Sequence, residues 1–176
     1  MTVETPLPDL FLRPASSDDC ALILRFIREL AEYERLSHEV VATESVIHES
    51  LFGDSPYARV LIAEFQGEPV GYALFFHNYS TFTGRPGIYL EDLFVQPKHR
   101  GKGYGKCLLA YVARLAVDER CSRVEWSVLD WNEPAIRFYR SIGATPMDGW
   151  TVQRLDGAEL ASLANEFPTP TMPSED

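Results

Sequence analysis

Arg100-Gly101-Lys102-Gly103-Tyr104-Gly105 follows the apolar run Ile88 to Val95 and precedes a helical pattern from Lys106 to about Glu119. These residues dictate a strand, a glycine turn and a helix. Three alternating glycines let the main chain turn tightly and come close to a ligand. A helix that opens there directs unpaired N–H groups, and the positive end of its dipole, into the turn. That is an anion site, best suited to a phosphate or pyrophosphate. Arg100 and Lys102 add positive charge to it. The turn is not a nucleotide P-loop: G-x-x-x-x-G-K-[ST] is absent, and glycines at i, i+2 and i+4 do not match G-x-G-x-x-G. Taken alone, a plain glycine-rich connection between strand and helix is the weaker, competing reading.

Working outward, Asp9 to Arg13 predicts a short strand ending at Pro14. Ser16, Ser17, Asp18 and Asp19 supply N-cap candidates and an acidic first turn. Ile23, Ile27, Leu30 and Ala31 then recur at helical spacing, so a helix runs to about Leu36. Thr43 caps a second helix, closed by Gly53. Arg59 to Phe65 and Val70 to Tyr79 are apolar runs joined by Gln66-Gly67-Glu68-Pro69, a hairpin signal. Tyr89 to Val95 is the strand before the glycine turn, and Val124 to Leu129 the strand after its helix. Pro134 suits the first turn of a helix over Glu133 to Ile142, ended by Gly143. Trp150 to Leu155 reads as a last strand and Ala158 to Asn165 as a short helix. An antiparallel front half followed by β-α-β units predicts an α/β fold with a mixed sheet. Such sheets bind ligands beyond the carboxyl ends of strands, at a switch point, where the glycine turn lies.

The 176 residues suit one domain, expected over residues 9–166. Residues 1–8 and 167–176, polar and proline-bearing, read as flexible tails. The net charge of −10 opposes nucleic-acid binding, which depends on neutralising phosphates, and makes anionic membranes poor partners. It favours cationic substrates. Cys20, Cys107 and Cys121 are odd in number and widely spaced, which fits a reducing cytoplasm better than a disulfide framework. No basic leader precedes an apolar run. No apolar run is long enough to span a bilayer. His38, His48, His77 and His99 lack metal-ligand spacing, so no metal is expected.

Leu93-Phe94-Val95, the glycine turn and Trp131-Asn132-Glu133-Pro134-Ala135-Ile136-Arg137-Phe138-Tyr139 together resemble the GNAT N-acetyltransferases. Arg100, Gly103 and Gly105 match the Q/R-x-x-G-x-G/A signature of that family. Asn132, the Phe138-Tyr139 pair and Gly143-Ala144 match its second half. Ala31-Glu32-Tyr33-Glu34, Tyr89-Leu90-Glu91-Asp92 and Gly149-Trp150 are similar to segments of the diamine acetyltransferases, the spermidine/spermine group that includes thialysine acetyltransferases. The resemblance implies a mostly antiparallel, twisted sheet flanked by helices, with acetyl-CoA at splayed central strands. It also implies a homodimer, which members of the family commonly form.

The resemblance assigns the cofactor pyrophosphate to the N–H groups of Gly101, Lys102, Gly103, Tyr104, Gly105 and Lys106. It gives the main chain of Leu93, Phe94 and Val95 to the pantetheine arm. Asn132, Glu133, Pro134, Ala135 and Tyr139 carry over as contacts along that arm. A free alkyl amine arrives charged, with a pKa of about 10.4. A carboxylate can hold it and accept its proton. Glu91 is the candidate base, with Asp92 beside it, although neighbouring strand residues face opposite ways unless the strand is irregular. Tyr139 is the candidate acid for the leaving thiolate, and ordinary core packing of Ile136, Phe138 and Tyr139 is the competing reading. Tyr33, Glu34, Glu125, Trp126, Ser127 and Asp148 match substrate-binding positions of the family. Acids and aromatics suit a cation, but the same residues could be solvated acids and core aromatics. The acceptor so implied is a small cationic amine, a polyamine or diamine. The alternatives are an amino-acid side-chain amine such as thialysine or lysine, a basic peptide, or CoA binding without catalysis.

Overall fold

Alternating apolar residues in four successive segments build a meander. The computed structural model describes residues 2–167. Its strands are β1 (Val3–Glu4), β2 (Leu10–Pro14), β3 (Arg59–Phe65), β4 (Glu68–Ser80), β5 (Arg85–Val95) and β6 (Val124–Glu125). They form one sheet in the order β1-β2-β3-β4-β5-β6. Every pairing is antiparallel except β5–β6, which is parallel. The helices are α1 (Cys20–Glu34), α2 (Glu44–Phe52), α3 (Tyr104–Asp118), α4 (Glu133–Ser141) and α5 (Gly157–Ala164). The chain divides after Trp131 into two compact units, and the whole sheet lies in the first.

One face of the sheet carries Val60, Ile62, Tyr72 and Phe94, which pack with Cys20, Ile23, Leu24 and Phe26 of α1 and Ile47 of α2. Phe26 stacks on Tyr72 with ring centroids 5.4 Å apart. Strand alternation sends Leu61, Ala63, Ala73 and Phe75 to the opposite face. There α3, which packs on β5 and β4, brings its buried Leu108 and Val112. Arg13 ties β2 to β3 and to the start of α1: its guanidinium donates to Asp19 at 2.7 and 2.8 Å and to Glu64 at 2.8 Å. At the other end of the sheet Glu119 takes Arg59 through both oxygens, at 2.6 and 2.9 Å, and His77 at 2.7 Å. The Cys121 thiol lies within 4.8 Å of the His77 and Glu119 ligand atoms. With both carboxylate oxygens held by a guanidinium, this group is an ion-pair clasp of β3 and β4 on the end of α3.

Three expectations change. Val3–Glu4, inside the segment expected to fray, pairs with Phe11 and Leu12. Thr5 makes this possible, because its hydroxyl donates to the Leu10 carbonyl and accepts from the Leu7 N–H, fixing the reversal. The strand expected over Val124 to Leu129 pairs only at Val124 and Glu125, opposite Ile88 and Tyr89. Shortly beyond Tyr89, β5 carries a register shift that ends the parallel ladder early. The strand expected over Trp150 to Leu155 is not formed. It falls in the second unit, which contributes no strand to the sheet, so its backbone finds no ladder.

In the second unit, Asn132 caps α4 by accepting from the Ala135 N–H at 3.4 Å, and Pro134 occupies the first turn. Gly143 follows with φ +89°, the left-handed conformation that ends helices. The segment expected to be a C-terminal tail lies, after Phe167, outside the described residues. Among the described residues no helix is long and apolar enough to cross a membrane.

Candidate active site

The glycine turn is built as an anion cradle. Gly101 and Gly103 have φ values of +76° and +86°, where a residue with a Cβ is strained. Gly103 is the N-cap of α3, with no side chain capping the helix. The first intrahelical bond in the turn runs from the Cys107 N–H to the Gly103 carbonyl at 2.9 Å. The N–H groups of Tyr104, Gly105 and Lys106 therefore precede the helical ladder and face outward. A Cβ at Gly101 would meet open space, so conformation, not crowding, selects glycine there. Consecutive outward amides at an uncapped helix start, with Lys102 and Lys106 among them, fit a pyrophosphate.

The edge of β5 lies next to this turn. The Gln96 N–H donates to Val70 of β4. By alternation, the main-chain groups of Leu93 and Val95 point the other way, beyond the end of β6. The Val95 carbonyl accepts from Arg100 Nε at 2.9 Å. An amide-bearing chain laid along this edge would find strand-like partners.

The irregularity that the sequence left conditional is present where it is needed. Leu74 pairs with Asp92 but Phe75 pairs with Leu90, so Glu91 is an extra residue in β5. This bulge leaves Asp92 on the face of Tyr72 and Phe94 while Glu91 stands exposed. Asp92 accepts from the Tyr72 hydroxyl at 2.6 Å. Burial pushes the Asp92 carboxyl above the usual range, against the opposing effect of the Tyr72 bond. Burial and the charge of Asp92 likewise raise Glu34, the last residue of α1. The fully buried Tyr72 phenol is raised by burial, and the charges of Asp92, Glu34 and Glu91 push the same way. Three carboxyl groups from two elements thus act on one point. A half-buried cluster of this kind attracts a cation strongly.

Aromatic and cationic groups border the cluster. The Arg100 guanidinium lies 4.2 Å from the centre of the Tyr33 ring and 5.6 Å from that of Phe94. Tyr33 in turn lies 6.0 Å from Trp131, over which Arg35 sits at 5.7 Å. Tyr72, Trp131 and Arg35 were not among the candidates from sequence. Tyr72 was readable only through its register with Phe94, and Trp131 only as part of a motif.

A family model described as the acetyltransferase (GNAT) family matches residues 24–144. The chain belongs to the GNAT acetyltransferases. It is 42% identical to a thialysine N-epsilon-acetyltransferase from Sus scrofa over 171 residues, which is 91% of this chain and 100% of that one. It is 32% identical to an L-ornithine N5-acetyltransferase from Arabidopsis thaliana, covering 86% of each chain. Among solved structures, an integron cassette protein from the mobile metagenome of V. cholerae superposes with a TM-score of 0.75 at 25% identity, covering 89% of this chain and 98% of that one.

The other positions carried over from the GNAT resemblance are placed as follows. Glu125 accepts from Asn78 at 2.8 Å and pairs with Arg123 at 2.6 Å. Burial raises its carboxyl, but these two partners outweigh that and hold it below the usual range. It is already neutralised in place. The Ser127 hydroxyl lies 2.7 Å from the Tyr89 hydroxyl, beside the first residues of β6. Trp126 is half-buried. In the second unit, Tyr139 lies on α4 with its ring 5.2 Å from Phe138. Its carbonyl accepts from Ile142 and Ala144 at the end of the helix. Glu133 pairs with Arg137 along α4 at 3.7 Å, and Asp148 lies in an exposed turn.

Proposed function

We propose that this GNAT enzyme transfers the acetyl group of acetyl-CoA to the terminal primary amine of a small cationic acceptor, by direct attack. The bulge at Glu91–Asp92 carries this reading, because it sets carboxylates of β5 beside Glu34, where an ammonium group is held. Bound acetyl-CoA supplies the activated acetyl thioester. The N–H groups from Gly101 to Lys106 bind its pyrophosphate, and the β5 edge at Leu93 and Val95 orients its amide-bearing arm. Asp92 and Glu34 hold the acceptor in its protonated form. Glu91, exposed at the bulge, takes the ammonium proton onto its carboxylate, directly or through water, and the neutral nitrogen then attacks. As the C–S bond breaks, the Tyr139 hydroxyl donates its proton to the departing sulfur, and the second nitrogen proton, released as the amide forms, restores the phenol through water. A thiol of pKa about 8.5 and a phenol of about 10 make that transfer uphill by only a unit or two. Positioning supplies much of the remaining acceleration.

Two acceptor types share this terminal amine. A diamine or polyamine places further positive charge toward an acidic protein. An amino acid with a side-chain amine also carries an α-carboxylate, which needs cations near the carboxylate cluster. Arg100 on Tyr33 and Arg35 on Trp131 lie there, and the thialysine and ornithine enzymes act on acceptors of that type. CoA release with putrescine, spermidine, spermine, thialysine, lysine and ornithine separates the two. A preference for the amino acids that collapses in Arg35→Ala supports the second reading, and a polyamine preference indifferent to Arg35 supports the first. Acetyl-CoA binding without turnover on any of them overturns both. Tyr139→Phe should lower turnover at saturating amine at least tenfold, with acetyl-CoA affinity nearly unchanged. Unchanged turnover removes Tyr139 from the acid role.

A further inference from the structure

The N-terminal segment and α3 enclose an apolar groove whose lining, apart from Gly103 and Lys106, takes no part in the proposed acetyl-CoA or amine sites. It has a volume of about 380 Å³, within the range of small-molecule sites. One wall is Val3 and Thr5 to Leu7, the floor is Leu12, and the other wall is the α3 face bearing Cys107, Ala110 and Tyr111. Thr5 anchors the first wall through its bonds to Leu7 and Leu10. Leu12 is buried beneath it, whereas Ala110 is exposed.

The charges around this apolar lining are unbalanced. Lys106 and Arg114, two turns apart on α3, border the groove, against Glu4 on the opposite wall. Arg114 is partly engaged by Asp118 at 2.9 Å, while among the described residues the Lys106 ammonium makes no ion pair or hydrogen bond. Cationic groups are outnumbered in this chain, 16 Lys and Arg against 26 Asp and Glu. A pair of them along an apolar groove is therefore an electrostatic feature, not background. Burial keeps the Cys107 thiol protonated, so it adds no negative charge.

We propose that this groove is a ligand site for a small amphipathic anion, with an apolar body against Leu12 and Ala110 and a carboxylate at Arg114, while Lys106, about 12 Å away along α3, adds positive charge at the other end. The apolar body gains by leaving water, and the carboxylate gains charge-assisted bonds that a neutral or cationic head cannot make. Gly103 and Lys106 belong both to this groove and to the cofactor turn, so an occupant would touch that turn from behind.

Calorimetric titration of the full chain with decanoate, in the absence of acetyl-CoA, tests this site. The matched probe is decyltrimethylammonium, which an acidic protein attracts in general. Saturable 1:1 binding of decanoate is expected. It should weaken at least tenfold in Ala110→Trp, which fills the groove from an exposed position, and several-fold in Arg114→Glu. Decyltrimethylammonium should show no saturable binding. Absence of decanoate saturation, equal affinity in Ala110→Trp, or equal binding of the cationic probe overturns the proposal. Acetyl-CoA affinity of Ala110→Trp, measured in parallel, reports whether the fold and cofactor turn are intact and does not depend on the groove being a site.

Discussion

Asp92 is the residue at which stability and the proposed activity oppose each other. Its carboxylate is half-buried, burial raises it, and its charge in turn raises Glu34. A carboxyl raised above its unfolded value binds its proton more readily in the folded state. Folding stability therefore rises as pH falls through the raised value, and at neutral pH the charge is a cost. Asp92→Asn removes that charge while its amide oxygen can still accept from Tyr72. The melting temperature at pH 7.5 should rise by about 2–4 °C, and kcat/KM for the amine should fall about tenfold or more for the lost charged contact. The acid limb of the amine kcat/KM profile should lie above the ordinary carboxylate range of about 3.9–4.3 and flatten in this variant. A lower melting temperature would mean that the carboxylate is structural. Asp19 shows the opposite sign. Its bonds to Arg13 outweigh the effect of burial and hold it below the usual value, so its contribution is present above about pH 4 and is lost as pH falls through the folded value. With side chains only 25% and 11% exposed, Asp19→Ala leaves Arg13 half-satisfied. It should cost about 2–3 kcal/mol in denaturant titrations at pH 7, and much less at pH 3.

At the scale of elements, β5 and the turn after it would carry the cofactor half of the proposed site, and glycine at two points makes their conformation possible. Gly103→Ala forces a Cβ at φ +86°, 3.5 Å from Leu7. The strain is about 1–2 kcal/mol, and the amides of the turn shift with it. Acetyl-CoA affinity should drop at least tenfold with a modest loss of stability, whereas affinity equal to wild type would disconnect the turn from the pyrophosphate. Gly71 of β4 lies against the Phe94 carbonyl and Val95. Gly71→Ala should destabilise by about 1–3 kcal/mol through overpacking and displace the β5 edge, read as a shift in the denaturation midpoint. The glycine turn, its helix and the hairpin before it were legible because periodicity and turn chemistry are local. The bulge at Glu91 was legible only as a condition, since Glu91-Asp92 looks like any strand pair until its register with Leu74 and Phe75 is known. The short β6 and the missing strand at Trp150 to Leu155 depend on whether a ladder partner is within reach, which no local pattern encodes. Tyr72 and Trp131 stayed hidden for a related reason: an aromatic residue in a strand or beside a motif reads as packing until its neighbours are placed.

Across the whole molecule, charge decides which acceptor benefits from the acidic surface. A net charge of −10 produces a field that draws in cations from beyond contact distance. Its reach is the Debye length, about 30 Å at 0.01 M salt and about 10 Å at 0.1 M. A polyamine with three or four positive charges gains at every step of its approach. An amino acid such as lysine carries a net charge of only one, and in the proposed site it would rely on contacts at Glu34, Asp92 and the two bordering arginines, which salt screens less. Raising the salt from about 0.01 M to about 0.1 M should therefore lower kcat/KM for spermine roughly tenfold but that for lysine or thialysine by no more than about twofold. Turnover at saturating acceptor should move little in either case, because the field acts on capture and not on the chemical step. If spermine and lysine lose the same factor, long-range charge plays no part in choosing the acceptor, and selectivity rests wholly on contacts at the carboxylate cluster and the Tyr33–Trp131 aromatics.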